Sequence, residues 1–333
     1  MKRNKRFRRL IKLDKTFTRY LYNHMPSLYK FRLSLEMAFK SLTLRFKTFK
    51  ANRMTDRERE EQISILYQKK TGKTLDWNHL STYREKMQWA KLYDRDPRKT
   101  LYSDKLAVRE WIANEIGEEY LIPLLGTWER AEDIDFSLLP QSFVLKTNHY
   151  TGNTIIVRNR DELTESAKHR IRYRLNMSLK RDLSLRSYEM HYHGIRPMIF
   201  AEALLESDPS DLPDYKFMCF DGVPHFFWMD FNRFSKHSRC VFDMDWNLQP
   251  WTISKPLHTP IPEKPENFEL MVAIAQKLSC GFSHVRVDLY NAHGKVYFGE
   301  MTFTGGSGFT AYEPEPDALL GNLWHLDMSS TSS

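Results

Sequence analysis

The chain has 333 residues, 41% hydrophobic and 14% aromatic, which is enough for a large packed core and too apolar for a disordered chain. Cys219, Cys240 and Cys280 are far apart with no CxxC pair, so no disulfide framework or thiolate zinc site is expected, and a cytoplasmic location is the default. The sequence has no apolar run of the ~18 residues that a membrane span needs, and no apolar run follows the basic N-terminus as a secretory signal would require.

The net charge of +8 is unevenly spread: residues 1–53 carry +14 and the remainder carries −6. The basic signal is therefore an arm, not a nucleic-acid-binding body, and no RNP, KH or zinc-finger pattern accompanies it. Residues 2–19 are polybasic. Leu28, Phe31, Leu35, Phe39, Leu42, Phe46 and Phe49 then recur at steps of three and four among basic residues, the pattern of an amphipathic helix. Two readings fit that helix. It docks on the body, or it lies on an anionic membrane surface, where each basic residue contributes about 1 kcal/mol.

Residues 55–93 read as helical, and Ser103 reads as the N-cap of a helix over 104–116 that stops at Gly117. The texture then changes. Strands are expected at 120–124, 142–147, 154–158, 198–205, 214–220 and 225–230, with a helix over 161–179 among them. A helix over 265–280 precedes two last strands, 283–290 and 295–303. Many strands joined by short turns, with occasional helices, indicate an α+β architecture.

The last hairpin is the most informative segment. A three-residue loop, Ala292-His293-Gly294, sets Arg286 opposite Glu300 and Asp288 opposite Phe298, with Asp288 and Glu300 as diagonal neighbours on one face. Two such carboxylates invite a divalent cation, and all-oxygen ligands suit magnesium; the alternative is an Arg286–Glu300 ion pair with Asp288 at a solvated edge. Four of the 13 glycines (Gly299, Gly305, Gly306, Gly308) fall here, and the run 304–308 offers backbone N–H groups to an anion.

Upstream, Lys146 ends an apolar strand before a turn-like segment, 149–153, where it can hold phosphate or snorkel to water. Glu202 lies in a run so apolar that it needs a polar partner. Lys105 and Lys216 stand beside acids. On the substrate side, Arg233 and Arg239 can hold a carboxylate and Trp246 can stack on a sugar, or all three are ordinary loop and core residues. His191 and His193 have strand spacing for a metal pair but no nearby third ligand.

In order along the chain, Asp104-Lys105, Phe143–Lys146 with its loop, Ile199–Leu205 around Glu202, Arg286-Val287-Asp288 and Glu300-Met301-Thr302 resemble the ATP-grasp superfamily. The wording WNHLSTYREKMQWAKLYD, DYKFMCFDG and YFGEMTFTGGSG resembles its TupA-like branch, named for teichuronopeptide biosynthesis in cell-surface polysaccharides. The resemblance covers about residues 60–325. It implies an ATP-grasp fold in which two α+β lobes clasp ATP behind an N-terminal basic helical extension. The division expected is an arm (1–53), a helical segment (54–102), a first lobe (103–205), a second lobe with the metal site (206–326) and a tail (327–333).

By the same resemblance, Lys105 and Lys146 contact ATP phosphates, and Glu202, Ala203 and Leu204 hold ribose or adenine. Lys216 is a further nucleotide contact, Asp288, Glu300 and Thr302 ligate Mg²⁺, and Arg286 stabilises the transferring group. Thr302, a weaker metal ligand, stands where the superfamily usually has Asn. The implied activity is ADP-forming ligation of a glycan or uronic-acid carboxylate to an amino acid or amine. The enzyme is expected in the cytoplasm, at the inner face of the plasma membrane. The rivals are a glycosyltransferase using Asp243-Met244-Asp245 and a non-catalytic ATP-grasp-like binding protein.

Overall fold

The computed structural model describes residues 53–150, 152–205, 212–232 and 236–328, with Tyr20, Met25, Ser27, Leu28, Arg32 and Leu35 as isolated positions. Most of the arm, and Arg233, therefore lie outside the described residues. Among the described residues no helix is long and apolar enough to cross a membrane.

The helical stretch expected over 55–93 is two helices, α1 (Asp56–Thr71) and α2 (Tyr83–Tyr93). Each opens with a capping box, Thr55 with Glu58 and Thr82 with Glu85, in which side chain and backbone satisfy each other's free N–H groups. Ser103 is not an N-cap. It closes α3 (Pro97–Ser103), which Asp96 caps with Pro97 in its first turn, and α4 begins only at Val108 (Val108–Glu115). Between them the Asp104 carboxylate accepts the Leu106 and Ala107 N–H groups at 2.8 and 3.2 Å, a side-chain turn that delays the helix.

Two antiparallel sheets follow. The first has the order β1-β4-β2-β3, from β1 (Leu124–Trp128), β2 (Phe143–Thr147), β3 (Ile155–Val157) and β4 (Ile199–Ala203). The strand expected at 120–124 is a 3₁₀ turn, Glu118–Tyr120, and pairing starts after Pro123, which has no N–H to donate to a ladder. Helices α5 (Glu165–Leu179) and α6 (Leu183–Arg186) lie between β3 and β4. Ile171 and Leu175 of α5 pack on Phe143, Leu145, Ile155, Val157, Ile199 and Ala201, and the alternate residues Val144, Lys146, Ile156 and Glu202 line a cleft.

The second sheet has the order β7-β6-β5-β8-β9: β5 (Asp214–Phe220), β6 (Val223–Phe231), β7 (Ser238–Asp243), β8 (His284–Ala292) and β9 (Lys295–Thr302). One face packs Tyr215, Phe217, Cys219, Val285, Val287 and Leu289 against α7 (Phe268–Ser279) and α4. The other face is divided. Met218, Phe220, Trp228 and Val241 are roofed by α2 and by α8 (Pro314–Leu323), whereas Asp214, Asp288 and Glu300 face the cleft. The roof is tied together by charge: Asp317 of α8 accepts from the Arg84 N–H and Nε at 3.0 and 2.7 Å.

The register of the β8–β9 hairpin corrects the expectation. The turn has two residues, His293 and Gly294, both left-handed (φ 52° and 76°), with Ala292 paired to Lys295. Leu289 then faces Phe298, a bulge follows, and Asp288 lies directly opposite Glu300 and Arg286 opposite Thr302. The bulge also changes which side chains are inside. Val296 and Phe298 belong to the core before it, Met301 and Phe303 after it, so Glu300 reaches the cleft only because one residue is added. Gly299 occupies that place because a Cβ there would lie 2.9 Å from the Asp288 carbonyl oxygen and 3.0 Å from the Tyr290 ring. We predict that Gly299→Val costs about 1–3 kcal/mol through this overpacking, read as a lower urea midpoint; an unchanged midpoint contradicts the assignment.

Candidate active site

The two sheets and the segment before α4 enclose a cleft of about 880 Å³. Its walls include Lys105, Lys146, Glu202, Ala203, Leu204, Asp288 and Glu300, with Leu205 and Leu212 beside the strand end. Lys105 joins the parts. Its N–H donates to the Asn148 carbonyl after β2 (3.2 Å), and its ammonium lies 3.1 Å from Glu300 Oε2 on the second sheet. Lys146, at the end of β2, donates to the Glu202 carboxylate on the neighbouring strand, which gives that buried acid the partner its setting requires. The loop after β2 contributes Tyr150, Gly152 and Asn153 to the wall.

On the second sheet the ionic groups form one row. Lys216 Nζ donates to Asp214 Oδ2 at 2.5 Å and to Asp288 Oδ2 at 2.6 Å. Arg286 grips Asp288 with both Nε (2.6 Å) and Nη2 (2.7 Å), and Nη2 also reaches Thr302 Oγ1 at 3.0 Å and Glu300 Oε1 at 3.5 Å. The Arg286–Glu300 contact that the sequence left as an alternative is thus a long one, and Asp288 holds the close bidentate pair. Burial alone would raise the Glu300 carboxyl, but the charges of Lys105, Arg286 and Lys216 outweigh it and hold Glu300 well below the usual carboxylate range. Burial also pushes Asp288 up, against the opposing pull of Arg286 and Lys216.

These donors suit a hard divalent cation. Asp288 and Glu300 face one another at the cleft wall, both supply oxygen, and Glu300 is held ionised. Among the described residues no three His, Cys, Asp or Glu side chains converge, so the remaining ligands would be water and phosphate, as magnesium favours. Thr302 fits less well: its hydroxyl accepts from Arg286, donates to Glu300 at 3.3 Å and does not line the cleft.

Other sequence candidates lie elsewhere. Arg239 is buried under Ile253, donating to Asp230 Oδ1 (2.7 Å) and to the Ile253 carbonyl (2.8 Å), and it does not line the cleft. Trp246 stacks on Phe242 in the core behind the sheet. Asp243 caps a turn, accepting the Asp245 and Asn247 N–H groups at 3.0 and 2.8 Å. His191 is buried beside Thr304 while His193 contacts Ser184, so the two do not converge. The glycines of the 304–308 run do not line the cleft either. In contrast, Asp214, Arg158 and Arg174 are wall residues that sequence reasoning did not select. Asp214 was within reach, since it sits two residues before Lys216 on a strand and must share its face.

Two antiparallel sheets closing on a cleft walled by lysines and paired carboxylates make up an ATP-grasp fold. The family model for TupA-like ATPgrasp matches residues 85–325, and the chain belongs to that family. No curated protein matches it. Solved structures similar to it include a D-alanine–D-alanine ligase from Bacillus anthracis (16% identity, TM-score 0.37, 66% of this chain and 62% of that one). Others are a D-alanyl-alanine synthetase A from Vibrio cholerae (10%, 0.39, 69% and 63%) and an L-amino acid ligase from Bacillus licheniformis (15%, 0.37, 64% and 45%). The alignments thus span less than two thirds of those proteins, and family membership rests on the match over 85–325.

The Asp230–Arg239 pair gives a pH test. Burial would raise Asp230, but the hydrogen bond and charge of Arg239, helped by Lys216 and His237, hold it at about 2. A depressed carboxyl contributes stability above its unfolded pKa and loses it as pH falls through the folded one. The stability gap between wild type and Asp230→Asn should therefore narrow by about 2 kcal/mol from about pH 5 down to about pH 2, measured by urea unfolding. A gap independent of pH contradicts it.

Proposed function

We propose that the protein is an ATP-dependent carboxylate–amine ligase. One observation carries the reading: Asp288 and Glu300 stand directly opposite each other, gripped by Arg286, in a cleft that also collects Lys105 and Lys146. In the reaction that family membership supports, a substrate carboxylate oxygen attacks the γ-phosphorus of ATP and ADP leaves. The amine nitrogen then attacks the acyl carbon, phosphate departs and the amine loses a proton. Lys105 and Lys146 supply charge for the phosphates from the cleft wall. Lys216 and Arg286, which do not line the cleft, add positive charge from behind Asp288 and Glu300, where Arg286 helps to neutralise the group in transfer. Ala203 and Leu204, at the end of β4, present backbone groups to the base. Asp288 and Glu300 would hold Mg²⁺, which supplies electrostatic stabilisation when bound. No nucleophilic side chain is required.

The finer reading takes the carboxylate to be that of a uronic-acid-containing glycan or its precursor and the amine to be an amino acid, in cell-surface polysaccharide assembly. The branch name supports it. We place the enzyme in the cytoplasm, held at an anionic membrane face by residues 1–53, whose alternation of basic and apolar residues supports such a contact.

The test is Mg²⁺-dependent ADP release with a panel of amino acids and glucuronic- or galacturonic-acid donors. ADP is expected only when acid and amine are both present, and Glu300→Gln is expected to lower its release about 10²–10³-fold. Failure to bind ATP while a nucleotide sugar binds would replace the ligase with a glycosyltransferase.

A further inference from the structure

Lys91, in α2, is the charged side chain the fold encloses most completely, with no exposure at all, and it does not line the cleft. Its ammonium donates to the Ser307 carbonyl (3.2 Å) and hydroxyl (3.4 Å) and stands 4.4 Å from the centre of the Phe309 ring. One turn earlier, the Gln88 amide donates to the Gly308 carbonyl at 3.1 Å. The buried Glu189 carboxylate, close enough for its charge to act on Lys91, accepts the hydroxyls of Thr304 and Ser187, with His191 Nε2 3.4 Å from the same Thr304 hydroxyl. A segment of six residues, 304–309, is thus held by two buried ionisable side chains, Lys91 and Glu189.

That segment needs holding. Gly306, Ser307 and Gly308 are consecutive left-handed residues (φ 57°, 57° and 68°), a conformation that disfavours Ser307. The segment also abuts the arginine that grips Asp288: a Cβ added at Gly305 would lie 3.1 Å from Arg286 Nη1. On the far side, a Cβ at Gly308 would strike the side chains of Gln88 and Met87. Burial depresses the Lys91 amine to about 7 against the opposing charge of Glu189, and it pushes the Glu189 carboxyl up, so enclosing the pair carries a cost that apolar side chains of the same length would avoid.

We infer that Lys91 and Glu189 are positioning residues, which clamp the 304–309 segment so that it seats Arg286 against Asp288 and Glu300. The helical segment before the first sheet is then part of the catalytic apparatus. The consequence for turnover rests on the ligase reading; the clamp itself does not.

The experiment uses the full chain as wild type, Lys91→Met, Lys91→Arg, Glu189→Gln and the double variant Lys91→Met/Glu189→Gln. Three quantities are read: amide hydrogen exchange of the 303–310 peptide, Mg·ATP affinity by calorimetry, and kcat and KM for ADP release. For Lys91→Met, exchange in the peptide should accelerate about tenfold while the helix α7 peptide is unchanged. Its kcat should fall about a hundredfold through misplacement of Arg286, with Mg·ATP affinity within about twofold, and Lys91→Arg should recover part of the loss. The double variant should fold as stably as wild type and still turn over slowly, which separates positioning from stability. Unchanged exchange in the peptide, or a kcat within about twofold of wild type, overturns the inference. Should no version bind Mg·ATP, the ligase reading fails and the exchange result alone decides the clamp. Should Lys91→Met fail to fold, Glu189→Gln and Lys91→Arg supply the same comparison.

Discussion

One added residue in one strand determines which groups face the cleft. With a regular ladder, Glu300 would continue the inward series of Val296 and Phe298 and would be an acid buried against α7. The bulge at Gly299 reverses the alternation, sends Met301 and Phe303 into the core, and brings Glu300 opposite Asp288. A close pair of carboxylates can persist there only because Arg286, Lys105 and Lys216 surround it. The rest of the site is arranged around that compensation: Lys105 of the cleft wall neutralises Glu300, and Lys146 stands in the same relation to Glu202. An anion entering the cleft competes for cations already engaged, and leaves carboxylates uncompensated unless a metal ion accompanies it.

The second sheet serves two purposes along a single face. Towards one end its residues are apolar and roofed by α2 and α8, and towards the other they are ionic and open to the cleft. The boundary runs through Trp228, whose ring lies under both the Arg239 and the Arg286 guanidinium groups at 5.0 and 5.4 Å. Arg239 is thereby committed to the framework, held by Asp230 and the Ile253 carbonyl, while its neighbour Arg286 is committed to the site.

Much of this was legible in the sequence because a short apolar run broken by one charge is a local signal. Phe143–Lys146, Ile199–Ala203 and Asp214–Phe220 announced their strands, and Lys146 and Glu202 stood out in theirs as polar residues needing partners. What failed did so for identifiable reasons. The hairpin register depended on a turn one residue shorter than expected and on a bulge, and a single glycine does not signal its own close contact with the Asp288 carbonyl. Ser103 has the chemistry of a cap, but Asp104 supplied a competing turn. Strand β7 and helix α8 were not foreseen, since β7 carries polar residues at both ends and α8 opens with prolines that read as breakers. Nothing in the sequence around Lys91 sets it apart from the other charges of its helix, and only packing shows that it is enclosed.

The roof over the apolar half of the second sheet has a consequence for the smallest piece of chain that can fold. Helix α2 begins at Tyr83, whose hydroxyl is 2.9 Å from the His284 ring, and its opening turn relies on Thr82. A fragment cut to the matched family boundary at residue 85 would lose both. It would thin the cover over Met218 and Phe220, both of which Tyr83 touches. The packing of the second sheet therefore draws on residues upstream of the matched family sequence, the two that open α2.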